Sequence, residues 1–597
     1  MPTQGGPVTL PTPKATYDYE NEAQTRRSIM QALGKLTGGL TDGDVLTYIN
    51  AKDYGVVGDG ATDDTVSLQA ALTAGYTLKR VVNCGALVCK ITAPAAVTAG
   101  AFVVGTGYTI KTVGTTNFTL VGASASTIGV HFVATGVGAG TGTATPCALT
   151  VRGPGLVFDY IAHGANYNGS DATTAEPGIL ATGTGYTAVL IGEKPQYIRF
   201  ALYGNNAGAR PVLNGVVFQN ALMGVVNHVR VYGLAGFGVK INKVWDTIFD
   251  TLSLEYCGND ANYAFSINND GMTSNEIHVT RLQVETAVNR AILIHPDTLS
   301  CTFSKIHSER ATVSVTASTA LVTGMLYTIT TTGTSNFVLA GASASTVGVV
   351  FEATGTTAGT GTAMPVTWSV GGASSVYASM RFDVDGTGAK ALLRGANTTY
   401  AAPRIESGIS VDLEAQQYTS ITLIDPDIAG VVRETPNQLG MIVLSGGNMA
   451  TIKTNWTGNA SNRYITQPME ATWTPEVTLG GNTGITYAAR TGQYTRIGRT
   501  VFATCDVTLS GFGGRAGALL VTGLPFVAAE TAGVAISYYA AVTNWTTYGI
   551  IGRVDAGSTA ILLSKIDSDA ASTQLSNANL TVNSRLILSV VYRTTGA

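Results

Sequence analysis

AKDYGVVGDGATDDTVSLQAAL, residues Ala51 to Leu72, joins a short extended piece, a glycine turn and a helix. Asp53-Tyr54-Gly55-Val56-Val57 alternates like a short strand. Gly58 and Gly60 admit backbone angles that other residues resist, so a turn is expected there. Thr62 or Asp63 then caps an amphipathic helix running through Leu72, with acidic residues in the first turn, where the helix dipole favours them. Val66, Ala70 and Leu72 form its expected buried side.

Working outward, 597 residues exceed what one compact core holds, so several domains or a repeat architecture is expected. Charged residues make up only 12% and there are 71 glycines, a composition of short strands and tight turns. Hydrophobic residues are 45% of the chain, which excludes a disordered polymer. A net charge of −3 leaves no electrostatic footprint for nucleic acid. No apolar run reaches bilayer length, so no membrane insertion is expected. The leader MPTQGGPVTLPTPK has neither a basic n-region nor an apolar h-region, and Sec export is not expected. Cys84, Cys89, Cys147, Cys257, Cys301 and Cys505 show neither metal spacing nor a dense disulfide pattern and read as buried thiols.

Upstream, Asp18 to Lys35 reads as a helix with an acidic start, a basic end and a Gly38-Gly39 stop. Downstream lies an internal duplication: Tyr108 to Ala144 aligns without a gap on Tyr327 to Ala363, with roughly three-quarters of positions identical. Each copy alternates apolar and polar residues between glycine turns, as a small β module would. The copies are not adjacent, so they are not stacked solenoid units but insertions at two separate points. A looser phrase also recurs: WDTIFDTLSLE (Trp245 to Glu255), NEIHVTRLQVE (Asn275 to Glu285) and LSCTFSKIHSE (Leu299 to Glu309). Aligned on it, Glu255, Glu285 and Glu309 take the same place. Stacked parallel strands lie about 4.8 Å apart, so the three carboxylates would form a ladder.

These residues carry two resemblances. Tyr54, Gly55, Gly58, Asp59, Gly60, Asp63, Asp64 and Thr65 resemble the opening motif of the pectate-lyase-like right-handed parallel β-helices. Trp473-Thr474-Pro475, Gly481-Asn482-Thr483, Gly492 to Gly498 and Gly523 to Phe526 resemble a C-terminal module of phage tail fibres and tailspikes. The resemblance implies an all-β chain: a right-handed parallel β-helix with two inserted small β modules, a short N-terminal helical anchor and a C-terminal β-sandwich. The expected segments are a virion-attachment piece at 1–46, the β-helix opening with its capping helix at 47–97, and module 1 at 98–147. Rungs come next at 148–311, then module 2 at 312–366, further rungs at 367–435, a linker at 436–470 and the sandwich at 471–597.

The tailspike resemblance implies a homotrimer on the virion, attached through residues 1–46 to a tail or baseplate protein, that binds and in many relatives cleaves a bacterial surface polysaccharide. Glycoside hydrolysis needs one protonated and one ionised carboxyl group, separated by about 5 Å for retention and about 6.5–9.5 Å for inversion. Glu285 and Glu309 suit the first distance, Glu255 and Glu309 the second, and stacked like charges raise one pKa. Asp260 lies on a loop beside this face, as does Asp270. Tyr256 and Tyr263 are candidates to stack on sugar rings; Arg281 and Arg310 are candidates to bind or neutralise. A solvated structural face remains the rival for all of them, and a non-catalytic receptor-binding protein the rival function. A lyase would use a base such as His278, His295 or His307. No cofactor is expected: the glycine runs at Gly138 to Gly142 and Gly359 to Gly361 lack the strand–helix setting and lysine of nucleotide loops. No metal is expected either, because Asp59, Asp63 and Asp64 lack the length and terminal glutamate of a calcium loop.

Overall fold

Apolar–polar alternation interrupted by tight corners makes strand the prevailing structure among the described residues. The computed structural model describes residues 48–158, 177–204, 210–268, 273–384, 388–435, 440–447, 456–457, 463–465, 469–497, 499–543, 549–568 and 571–594. The expected helix at 18–35 and the attachment piece at 1–46 lie outside the described residues, as do Asp270 and most of the 436–470 linker. The chain divides into two compact units, Met1–Val370 and Gly371–Ala597.

In the first unit the chain alternates between two parallel sheets. One sheet receives Tyr197–Gly204, Val225–Tyr232, Trp245–Glu255, Asn275–Glu285 and Ile306–Ala311. The other receives Thr187–Glu193, Asn214–Ala221, Val239–Asn242, Phe265–Asn268 and Ile292–Ile294. Each strand pairs in parallel with its counterpart one rung later, which makes the fold a parallel β-helix. Because the register is kept, like side chains stack: Val229, Leu252, Leu282 and Ile306 form one fully buried column, and Val231, Leu254 and Val284 another. Burying each such side chain is worth about 1.5–3 kcal/mol over leaving it exposed.

A helix closes the first rungs, with different details from those expected. Ala51–Tyr54 is a short 3-10 helix rather than a strand, ended by Gly55 at φ 86°. The capping helix is Thr65–Leu78 and its N-cap is Asp64. Its buried residues are Leu68, Ala71, Leu72 and Gly75, whereas Val66 is 82% exposed. The buried stripe begins at Leu68 and takes every position three, four and seven residues on. Val66, two residues before Leu68, points about 200° away around the helix. The helix meets the outermost strand of the second sheet, Leu149–Arg152, through Tyr76, which lies against Arg152, and through Gln69. Gln69 Oε1 accepts from Thr150 N at 2.7 Å and Gln69 Nε2 donates to Thr150 O at 3.2 Å. A glutamine thus takes the place of a neighbouring strand and satisfies an edge that would otherwise recruit one.

The duplicated modules are two four-stranded antiparallel sheets, Val97 to Pro146 and Thr316 to Pro365, each with its own apolar cluster. They pack back on the β-helix. From the first module, Gly107 N donates to Thr150 Oγ1 at 2.8 Å, and His131 Nε2 lies 3.0 Å from Thr187 Oγ1. Toward the second, Arg290 Nη1 donates to Leu326 O at 2.9 Å and Tyr263 Oη to Val366 O at 3.0 Å.

The second unit begins with parallel rungs of the same kind. Val376–Ala378, Thr398–Ala401, Ser420–Ile424 and Met441–Ser445 pair in series, as do Ala389–Gly395, Ile409–Ala415 and Val432–Glu434. Tyr377 and Tyr400 stack with ring centroids 5.3 Å apart. The antiparallel part after them is one continuous ten-stranded sheet, with Met469–Trp473 and Glu476–Leu479 at its two ends. It folds around a single core that includes Val477, Val507, Leu519, Leu563 and Leu588. The expected sandwich of two sheets takes this form because Thr486–Ile497, Thr500–Gly511 and Leu580–Arg593 are 12, 12 and 14 residues long, beyond the usual strand length. Register shifts near Tyr487 and Ile536 add bends. All six cysteines are buried thiols that form no disulfide among the described residues. No helix among the described residues is long and apolar enough to cross a membrane.

Candidate functional site

On the outer face of the first sheet the register pairs Glu255 with Glu285 and Glu285 with Glu309. The column extends one rung further to Tyr232, which pairs with Glu255. Two residues earlier on each strand a second outward column runs Arg230, Ser253, Gln283 and His307. A third column, two residues earlier again, runs His228, Thr251 and Arg281, so the glutamates lie at one margin of the face, towards the C-terminal ends of their strands.

Immediately after each glutamate the chain turns a corner. Tyr256, Thr286 and Arg310 all adopt left-handed backbone, with φ of 51°, 48° and 53°. Non-glycine residues adopt that region only where the surroundings demand it. Here the rungs demand it together: Tyr256 N donates to Glu285 O at 3.2 Å and Thr286 N to Glu309 O at 2.9 Å. Arg210 braces the same edge, its Nη1 donating to the carbonyls of Leu234, Tyr256 and Gly258 at 3.0–3.2 Å. Stacked corners fix the glutamates' Cα atoms one strand spacing apart, about 4.8 Å.

The three carboxylates have unequal surroundings. Glu255 faces Arg230 Nη2 at 3.8 Å. Burial, and then the neighbouring Glu285 charge, push the Glu255 carboxyl above the ordinary glutamate value, against the pull of Arg230 and Arg310. Glu285 accepts from Gln283 Nε2 and pairs with Arg310 Nη2 at 3.4 Å. Gln283 in turn accepts from Arg281 Nη2 at 2.6 Å, so Arg281 acts on the column through an amide. Glu309 faces His307 Nε2 at 3.4 Å and Arg310 Nε at 3.9 Å. Arg310 thus bridges the two lower glutamates, while Glu255 pairs in register with the aromatic Tyr232.

Two expected site residues lie elsewhere. Tyr263 is only 4% exposed, with its hydroxyl on Val366 O and its ring beside the buried Arg290 guanidinium, so it has no face to offer a sugar. Asp260 is exposed, but its carboxylate accepts from Asn289 Nδ2 and its carbonyl from Arg290 Nε. Those bonds hold the loop after Glu255 rather than bring Asp260 into the column. Tyr256 is 37% exposed and meets Tyr232 edge-to-face at 5.6 Å, leaving an aromatic surface beside Glu255. Arg230, Tyr232 and Gln283 join the site although the sequence pattern did not single them out, and His307 enters as a neighbour of Glu309 rather than as a lone base. Extending the recurring phrase back by one rung to Val225–Tyr232 would have found the first two. Among the described residues no group of three or more His, Cys, Asp or Glu could hold a metal ion.

No protein-family model matches the chain. Mannuronan C5-epimerase AlgE1 of Azotobacter vinelandii is 39% identical over 61 residues, a match covering 10% of this chain and 4% of that protein. Among solved structures, the Dettilon tailspike protein (gp208) covers 92% of this chain and 94% of its own at 10% identity and a TM-score of 0.40. Tailspike protein gp49 of Acinetobacter baumannii bacteriophage Fri1, described as a capsular polysaccharide depolymerase, covers 92% and 86% at 11% identity and a TM-score of 0.30. The Streptococcus pneumoniae surface protein and adhesin PfbA covers 70% and 99% at 11% identity and a TM-score of 0.34. Most of these structural neighbours are phage tailspikes.

Proposed function

We propose that this chain is a phage tailspike that binds a bacterial surface polysaccharide, capsule or O-antigen, and cleaves it by glycoside hydrolysis. The observation that carries the proposal is the stack of Glu255 on Glu285 at one-rung spacing, with the Glu255 pKa raised by burial and by its neighbour. In this reading Glu255 donates its proton to the glycosidic oxygen as the bond to the sugar breaks. Glu285, held by Gln283 and Arg310, attacks the anomeric carbon or stabilises its positive charge. A water that gives a proton back to Glu255 then adds to that carbon and frees the sugar. Side chains on neighbouring rungs, whose Cα atoms lie about 4.8 Å apart, can bring their carboxyl groups to the roughly 5 Å of retaining enzymes. Tyr256 offers a ring for the sugar on the acid's side.

One observation favours a binding-only protein: Arg310 sits on both Glu285 and Glu309, a charge arrangement that a structural face also uses. Purified protein incubated with the host's own glycans separates the two. New reducing ends support hydrolysis, ultraviolet absorbance of an unsaturated uronate would reveal a lyase instead, and binding without either leaves a receptor-binding protein. The same reading makes the chain a homotrimer joined to the tail or baseplate through residues 1–46. Threefold symmetry closes side-by-side contacts between solenoids, and a monomer mass by light scattering contradicts it.

A further inference from the structure

At the opposite edge of the first sheet, where its strands begin, the first unit has a groove of about 560 Å³. That volume falls within the range of about 300–1,000 Å³ typical of small-molecule sites. Three sharp turns make it concave: Lys79, which ends the capping helix, Glu193 and Asn220 all have left-handed backbone, at φ 55°, 60° and 55°. Gly153 and Pro154 lie between them. The Pro154 carbonyl is fixed by two donors, Gln196 N at 3.0 Å and Tyr197 N at 2.9 Å.

The charge of this groove runs against that of the chain, which is −3 overall. Lys79 and Lys194 line it, and among the described residues neither has a carboxylate partner. Its acid, Glu193, is engaged elsewhere: it accepts from Arg152 Nε at 2.7 Å. Arg152 also donates to Tyr76 Oη at 2.9 Å and lies over the Tyr76 ring, with Lys79 Nζ at 4.1 Å from the same ring. A cation-rich wall is therefore built from the capping helix and the corner after Thr187–Glu193. Gln196 donates its amide nitrogen to Met223 O at 3.1 Å, which leaves its amide oxygen, with the Asn220 side chain, for hydroxyl groups. Exposed cations beside amides and a proline face suit one ligand chemistry: a sugar ring that carries an anion.

We propose that this groove is a second carbohydrate site, taking an acidic sugar whose carboxylate lies between Lys79 and Lys194. The proposal rests on the glycan-binding function above and adds that the glycan is acidic and held away from the glutamate column. The test is calorimetric titration of the full chain and its Lys79→Gln/Lys194→Gln double variant. The probes are a glucuronate oligomer, a neutral glucose oligomer of equal length and inorganic phosphate. The expected results are preference for the glucuronate oligomer, weaker binding as salt rises, and about ten- to a hundredfold weaker binding in the double variant at unchanged melting temperature. Equal binding of the two oligomers, unchanged affinity in the variant, or phosphate binding as tight as glucuronate would overturn it. Cleavage of host glycan by the double variant at the wild-type rate leaves the hydrolase reading standing whatever the groove does, so the two proposals fail separately.

Discussion

The capping segment carries Asp59, Asp63 and Asp64; the first sheet carries Glu255, Glu285 and Glu309. Both trios crowd carboxylates, and both invite a site. In the capping segment every carboxylate has nearby donors. Asp59 accepts from Ala61 N, Thr62 N and Thr62 Oγ1; Asp63 from Thr65 N, Thr65 Oγ1 and Thr92 Oγ1. Asp64, buried, takes Val57 N at 2.8 Å and Gly58 N at 3.0 Å. Hydrogen bonds lower the Asp59 pKa, and at Asp63 those from Thr65 and Thr92 outweigh burial. In the column the glutamates face one another across rungs. There burial and a like charge dominate at Glu255, and its pKa moves the other way. Acidic clusters differ, then, by what points at them. Backbone donors make a carboxylate part of the scaffold; a neighbouring carboxylate and partial burial leave it able to exchange a proton.

That contrast can be broken by experiment. The largest effect belongs to Glu285→Gln, which should lower turnover about 10²–10⁴-fold while leaving the melting temperature in place. Full activity in both Glu285→Gln and Glu309→Gln would remove those two glutamates from the chemistry. Asp64→Ala should do the reverse, leaving two N–H groups without their acceptor. Destabilisation of about 3 kcal/mol in denaturant titration is expected, with glycan turnover per folded molecule unchanged. Gln69→Ala should cost less, about 1–2 kcal/mol, and raise the tendency to associate through the uncovered edge, visible by light scattering.

The smallest effect is on the pH dependence of stability. Because the folded state raises the Glu255 pKa above its ordinary 4.5, ionising this group opposes folding. The cost is absent below the ordinary value, grows as pH rises towards the folded-state value, and is complete above it. Glu255→Gln should therefore melt higher than wild type at neutral pH, and the gain should vanish in acid. A variant that melts lower at neutral pH would mean that Arg230, rather than burial and Glu285, governs this position.

Much of the scaffold was legible because it is repetitive. A parallel β-helix requires each strand to match the one above it, so Trp245 to Glu255 and Asn275 to Glu285 carry nearly the same apolar pattern and the glutamates fall into line by alignment. The duplicated modules could be read for the same reason, and their independence from the rungs followed from their separation. The helix start was misplaced because Thr62, Asp63 and Asp64 are all acceptable caps by local chemistry. Only the demand of Val57 N and Gly58 N for an acceptor selects Asp64 for the interior.

The recurring phrase along the chain thus aligned Glu255, Glu285 and Glu309, and glycine and cap residues announced a helix after Gly60. The parallel β-helix and the helix's place as its cap were implied by the resemblance of the opening motif. Alignment of like phrases needs only residue spacing. Tertiary structure decided which neighbours reach across: Tyr263 turned inward to Val366, Asp260 tied to Asn289, Arg310 laid over two glutamates, and Gln69 standing in for a strand. Such contacts join residues up to 103 positions apart, and corner geometry sets them rather than any local pattern. The ladder was written in the sequence; the burial and the neighbouring charge that raise the Glu255 pKa came only from the fold around it.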